Sequence, residues 1–377
     1  MPATREETIL QERDRKSQML TPEEPSKLER RMLAIRENDL LGRVIGDTYG
    51  WRIAIGGLLA GQGFAIGPEY KRRDLWDGRL TFRTSARASA KKAYLADLEL
   101  GLPKLAGGKM FVDFLTVHRN YPEVPYFGPG PDSREEDRTG YRREDTSVEM
   151  RSGVRLARYV KAGAIGGFTA VNTGPDADGR VVPLQVPGAD RQTSFVRGGG
   201  SLQFDNRNFP GEPTRGGNYR AEYQMFSDRN LQAYSFGQLE LEAQQYIPFL
   251  NDKRVIALRA RTTLTKARDG STVPFYMQPM LGGSNSLRGF EQFRFYDNNS
   301  LLFTAEYRFE VFSGLDMAVF TDGGKVFPRW SQLNFHGLEV SEGFGFRGNF
   351  RNNVFLRIDT AFSREGYQVW LKFDNVF

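Results

Sequence analysis

Few side chains in this sequence could carry chemistry, and their neighbours rule out most of what they could do. The 377-residue chain has no cysteine and two histidines, His118 and His336. That removes disulfide scaffolds and thiolate metal sites. A nucleophilic hydrolase needs a Ser–His pair with an orienting acid or amide. His118 stands beside Asn120 at the end of a strand-like run, His336 stands in a polar loop, and neither lies in a nucleophile motif. The glycine strings Gly198-Gly199-Gly200 and Gly282-Gly283 lack the Lys-Ser/Thr that completes a phosphate loop. No enzyme activity, catalytic residue, metal site or cofactor is therefore expected. Charged side chains remain, among them Arg288 in the glycine-rich run 281–290 and Glu306 and Asp322 downstream of it.

The elements that must position those groups follow from composition and period. Mean hydropathy is −0.51 and no run of about 18 apolar residues exists, so no helix of this chain crosses a membrane. A transmembrane β-barrel hides its apolar face in every second residue and averages out as polar. Twenty-nine Phe and 15 Tyr suit the aromatic girdles of such a barrel, and 41 Gly suit its curved strands and turns. The net charge of +6 is scattered through strand-like segments, which fits a solvated lumen and loops and excludes a nucleic-acid partner. No apolar stretch follows the first residues, so they do not read as a signal peptide.

Residues 1–48 form a charged leader. Thr21-Pro22-Glu23-Glu24 and Ser26 with Glu29 are capping patterns, and Leu28, Met32 and Ile35 fall on one stripe of an amphipathic helix. From Tyr49 the period changes to two, and residues 49–377 read as an all-β domain. Sixteen segments of about ten residues are expected. They run 51–61, 62–72, 81–90, 94–102, 110–118, 148–156, 160–171 and 195–205, then 219–226, 234–246, 255–265, 301–312, 315–322, 338–348, 354–363 and 367–377. Short turns alternate with long loops, notably 121–145 and 172–191, which puts the long ones on one rim.

The faces separate cleanly. Tyr367, Val369, Leu371, Phe373 and Phe377 share one face of the last segment, with Gln368, Lys372 and Asp374 on the other. Val354, Leu356, Ile358 and Phe362 oppose Arg357, Asp359 and Ser363. Leu301, Phe303, Ala305, Tyr307, Phe309 and Val311 oppose Glu306, Arg308 and Glu310. The fold expected is a 16-stranded antiparallel transmembrane barrel with a short helical N-terminal segment, lipid outside and water or protein inside.

Several motifs, in order, make the chain resemble the BamA/TamA-type bacterial surface antigen superfamily. Leu287-Arg288-Gly289-Phe290 is similar to that family's Val/Leu-Arg-Gly-Phe/Tyr loop, and Phe320, Asp322 and Gly324 to its Phe-x-Asp-x-Gly strand. Ala305-Glu306-Tyr307-Arg308 resembles the strand between them, and Gly343-Phe344-Gly345-Phe346-Arg347 the next. Asp205-x-Arg207 with Phe209-Pro210 and Gly216 resembles an earlier turn. The resemblance implies that the long loop folds back into the lumen, where Arg288 meets Glu306 and Asp322, and that Gly289 lets the backbone turn where a Cβ would clash. Phe373 and Phe377 stand where the family's C-terminal strand signal lies, although Asn375 replaces an expected apolar residue.

The function implied is insertion or translocation of polypeptides at the bacterial outer membrane. The working feature would be a weak seam between the first and last strands, kept deformable by Gly56, Gly57, Gly61 and Gly63. Partners would be outer-membrane lipid, an unfolded or translocating polypeptide and a periplasmic accessory protein. The leader is too short for a periplasmic docking domain of the POTRA type. That leaves a passive or plugged pore within an envelope complex as the alternative.

Overall fold

The computed structural model describes residues 49–373, apart from 57, 190, 251–252, 313 and 351–352. The expected leader helix and Phe377 lie outside the described residues. Gly50–Ile55 (β1), Ala65–Leu75 (β2), Leu80–Ser89 (β3) and Tyr94–Leu105 (β4) open the sheet. Met110–Tyr126 (β5), Thr139–Ala157 (β6), Val160–Gly174 (β7) and Thr193–Asp205 (β8) follow. Next come Gly216–Asp228 (β9), Phe236–Phe249 (β10) and Arg254–Ala267 (β11), then a two-residue pair, Met280–Leu281 (β12) and Phe295–Tyr296 (β13). Asn299–Phe312 (β14), Leu315–Phe327 (β15), Glu339–Phe350 (β16), Asn353–Ser363 (β17) and Gly366–Lys372 (β18) complete it. All but β12 and β13 form one 16-stranded antiparallel sheet in chain order. In lipid every backbone N–H and C=O must find a partner, so a spanning sheet has to curl round on itself.

Alternation holds the wall between two solvents. On β18 the exposed residues are Tyr367, Val369 and Leu371; on β17, Ile358 and Phe362 face out while Arg357 and Asp359 are buried inside. Rings cluster outside at both ends of the strands: Trp51, Tyr70 and Phe82 near one rim, and Phe362 with Tyr367 near the other. The inner wall carries ion pairs in rows, among them Arg119–Asp145 at 2.7 Å, Arg197–Glu149 at 2.8 Å and Arg151–Glu222 at 2.7 Å. Long polar side chains pointing into a narrow lumen find one another there, leaving the apolar set for lipid.

Three local expectations change. The first hairpin does not turn tightly at 61–62, because β1 ends at Ile55 and residues 56–64 form a loop. Gly56, Gly61 and Gly63 take positive φ there, which breaks the ladder. The loop expected over 121–145 is largely strand: β5 and β6 stay paired as far as Tyr126 and Thr139. Leu301 faces out as expected but is buried, with Leu264 and Phe327. Residues 328–338 fold over that outer face, where the Phe335 ring meets Phe303 at 5.5 Å and the Trp330 indole donates to the Thr265 carbonyl at 3.2 Å.

The long-loop end of the lumen is filled. Tyr126, Tyr141, Phe195, Phe226 and Phe236 from the wall pack with Phe275, Tyr276 and Tyr296 of the 268–298 loop into one apolar cluster. The described ends of the sheet's two edge strands also come together. Among the described residues no ladder joins β1 to β18; β1 pairs with β2 and β18 with β17. Side chains bridge the described edges, with the Phe373 ring 6.1 Å from that of Phe64.

The face assignment can be tested at mid-strand. Val319 is exposed on the outer face of β15, so Val319→Arg should lower unfolding free energy in lipid vesicles by about 2–4 kcal/mol. Gln238→Arg, on the inner face of β10, should cost less than about 1 kcal/mol in the same denaturant titration. Equal costs would contradict the lipid-facing assignment.

Candidate lumenal loop site

The loop between β11 and β14, residues 268–298, is a folded unit. The β12–β13 ladder, Met280↔Tyr296 and Leu281↔Phe295, closes its base. Gly282 and Gly283 then take φ of +105° and +96°, a region costly for any residue with a Cβ. That turn lets the Gly283 N–H reach the carbonyls of Leu287 and Phe290, at 3.2 and 3.1 Å. Ser286 clamps Gly282 from both sides, accepting from its N–H at 3.0 Å and donating to its carbonyl at 3.1 Å. Leu281, Leu287, Phe290 and Phe295 pack with Leu302 of β14 and Val326 of β15 as a small separate core. The tip is thereby pinned to the wall by apolar burial before any charge is considered.

Arg288 sits on that core with 0% of its surface exposed. Its Nε and Nη2 donate to Asp322 Oδ2 and Oδ1, both at 2.8 Å, a two-pronged fork that matches guanidinium to carboxylate. Its backbone N–H adds a third bond to Asp322 at 3.2 Å. Nη1 reaches Glu306 Oε1 at 2.5 Å and Asp359 Oδ2 at 3.5 Å. The guanidinium lies 3.3 Å from the centre of the Phe320 ring, so one face of the cation is covered by a π-cloud. Burial disfavours the charge, but Asp322, Glu306 and Asp359 outweigh it and raise the Arg288 pKa further.

The acceptors are themselves tied down. Asp322 accepts from Thr304 at 2.9 Å and Ser341 at 3.4 Å. Glu306 also accepts from Arg308 at 2.7 Å and Arg347 at 3.5 Å. Asp359 pairs with Arg347 and Arg357. The Arg357 Nη2 in turn donates to the Ser284 carbonyl at 2.9 Å and to Asn285 Oδ1 at 3.0 Å, and Arg259 donates to the Asn285 carbonyl at 3.1 Å. Four guanidiniums and three carboxylates thus form one buried network across β14–β17. Its partial satisfaction would be costly, and four of the six carboxylate oxygens meet more than one donor.

The structure brings Leu287, Arg288, Phe290, Glu306, Phe320 and Asp322 together. Gly324 faces the loop, where an added Cβ would stand 2.8 Å from the Leu301 carbonyl and 3.1 Å from Leu281. Gly289 is needed for close approach rather than for an unusual turn: a Cβ there would stand 2.6 Å from the Phe362 carbonyl and 2.7 Å from Ser341 Cβ. Asp359 was missed as an acceptor, although its inward phase on β17 was evident. Phe373 is at the seam, not in the lumenal cluster. His118 lies on the outer face, its Nδ1 paired with Thr146 at 2.8 Å, and the carbonyl of His336 accepts from Lys325 at 3.0 Å. Among the described residues no group of three metal-type ligands occurs.

The earlier turn, 206–215, is also ordered by charge. Arg207 forks onto Asp205 at 3.0 and 2.8 Å, and Asn208 Oδ1 accepts from the N–H groups of Thr214 and Arg215. Burial, and next the neighbouring Asp316, push the Glu212 carboxyl up to about 7.

A model of the Omp85 superfamily domain matches residues 106–358. Among solved structures the chain is similar to BamA from Haemophilus ducreyi lacking POTRA domains 1–3, with TM-score 0.65 and 15% identity over 85% of this chain and 70% of that one. It is similar to CdiB from Escherichia coli, with TM-score 0.55 and 16% identity over 86% of this chain and 60% of that one. CdiB from Acinetobacter baumannii matches with TM-score 0.51 and 14% identity, over 85% and 56%. The chain therefore spans less than two thirds of either CdiB structure. Identities this low show a shared fold. No curated protein matches the chain by sequence.

Two outcomes follow from this geometry. Gly289→Ala forces the tip off the wall and should cost about 1–3 kcal/mol, whereas Gly323→Ala, with open space at its Cβ, should change stability by under about 0.5 kcal/mol; equal losses in lipid denaturation would contradict the close approach. Glu212 has a folded pKa above its ordinary 4.5. Its favourable contribution is therefore full below that value and is lost as pH rises through about 7. Glu212→Gln should flatten the fall in stability over that window, and an unchanged pH profile would contradict the burial of its carboxyl.

Proposed function

The chain belongs to the Omp85 superfamily and is a non-enzymatic β-barrel of the bacterial outer membrane, and from that premise we propose that it assists the insertion or translocation of polypeptides through the seam between β1 and β18. Members of this family handle translocating polypeptides. The observation that supports the proposal for this chain is the seam: among the described residues the edge strands β1 and β18 have ladders only to β2 and β17, and none to each other. An edge in lipid has backbone donors and acceptors that only another strand can satisfy. An incoming β-segment gains its hydrogen bonds by adding to that edge, which is strand augmentation. Among the described residues β1 and β18 are also the shortest strands of the barrel, at six and seven residues, so each has only a short edge. The partners proposed are an unfolded polypeptide, the surrounding lipid and a periplasmic accessory protein.

A second reading, a plugged pore, draws on the aromatic cluster that fills the long-loop end of the lumen. The two separate in liposomes containing the protein and an unfolded barrel substrate, with substrate folding followed by its heat-modifiable gel shift. Intact protein should speed folding, and Arg288→Ala, still a folded barrel by its own gel shift, should lose most of that acceleration. No acceleration by a well-folded intact protein would contradict the assembly reading and favour the plugged pore.

A further inference from the structure

Trp370 breaks the pattern of β18. Gln368 and Lys372, its neighbours on the inner phase, are polar, while Tyr367, Val369 and Leu371 hold the lipid face. An indole turned toward a lumen lined with charge needs a partner for its N–H, since a half-buried donor left alone is costly. It has one: Nε1 donates to the Arg288 carbonyl at 2.7 Å. The next carbonyl along the loop, that of Gly289, accepts from Ser363 Oγ of β17 at 2.7 Å. A third tie reaches the turn between these strands, where Arg294 Nε meets Glu365 Oε2 at 2.9 Å. Arg294 is 1% exposed and is held on its other side by Ser133, at 2.8 Å to the hydroxyl and 2.7 Å to the carbonyl.

The lumenal loop therefore grips the last hairpin on both strands and at its turn. Among the described residues β18 has a ladder on one side only. Across its free edge the described contacts are of side chains: Phe373 packs against Phe64 and over Gly56, where a Cβ would stand 2.8 Å from the ring. Because the Arg288 carbonyl belongs to the residue whose side chain is forked onto Asp322, its position is fixed by the buried network. The wall charges, the loop backbone, the indole and the free edge form one continuous chain of contacts.

We infer that Trp370 is a positioning residue for the seam, holding the free edge of β18 opposite β1 through the Arg288 carbonyl. The inward loop sets where that edge lies. This rests on the reading of the seam as the working edge. A single neutral hydrogen bond suits such a role, since it fixes a strand at rest and is weak enough to be exchanged when a new strand arrives.

The chain has no cysteine, so a pair introduced as Phe64→Cys with Phe373→Cys reports on the seam alone. Disulfide formation would be timed in liposomes, with and without Trp370→Phe, which keeps an aromatic side chain and removes the donor. The rate should fall about threefold or more, the change expected for loss of one hydrogen bond. A control pair across an ordinary ladder, Tyr223→Cys with Leu239→Cys, should keep its rate, as should the barrel's heat-modifiable shift. An unchanged rate at the seam, or an equal fall at the control pair, would overturn the inference. Substrate folding reports separately on the assembly reading: a fall confined to the seam supports the positioning role whether or not substrate folding is accelerated, and an unchanged seam overturns it even where folding is fast.

Discussion

A guanidinium with no exposed surface is the constraint around which the second half of this barrel is arranged. Removing a cation from water is expensive, and only well-placed opposite charges and hydrogen bonds restore the balance. Arg288 therefore requires Asp322 in fork geometry, Glu306 and Asp359 close by, and the Phe320 ring across its face. Each carboxylate in turn requires its own donors, which brings in Thr304, Ser341, Arg308 and Arg347. The network spans β14 to β17, so the register of four strands and the depth of one loop are fixed together. The glycines of the site follow from this, because Gly289 and Gly324 stand where the loop and wall come within contact of each other's backbone.

Among the described residues fifteen strand-to-strand ladders hold sixteen strands in order, and side chains meet where the two edge strands approach. Lipid makes an unpaired edge unfavourable, and the proposed function draws on that cost. A loop that braces the last hairpin from inside supplies order there without pairing the edge. The apolar cluster at the long-loop end closes the lumen, so the functional surface proposed lies at the wall and not along an open channel.

The sequence made much of this readable, and the reason differs by residue. Period-two alternation assigned the faces of β14, β17 and β18 because lipid on one side and water on the other enforce it at every second position. Arg288, Glu306 and Asp322 could be matched because they sit in motifs of fixed spacing. Asp359 was visible as inward-facing but not as a partner, since that depends on how far the loop reaches across the wall. The covering of Leu301 by residues 328–338 was not readable, because an outward-facing leucine has the same pattern whether lipid or a loop lies over it. The first hairpin was misread because Gly56, Gly61 and Gly63 read equally as weak strand and as positive-φ turns. Trp370 carried a signal in hindsight: an indole on the polar phase of a barrel strand asks for an acceptor.

The most direct test is a double-mutant cycle on Arg288→Ala and Asp322→Ala, with unfolding free energies measured in lipid vesicles. If the buried pair is what holds the loop, each single change leaves an uncompensated charge, and the double variant should be less destabilised than the sum of the two by about 2 kcal/mol or more. Losses that add to within about 0.5 kcal/mol would mean that the two residues act independently, and that the loop is held by its apolar core alone.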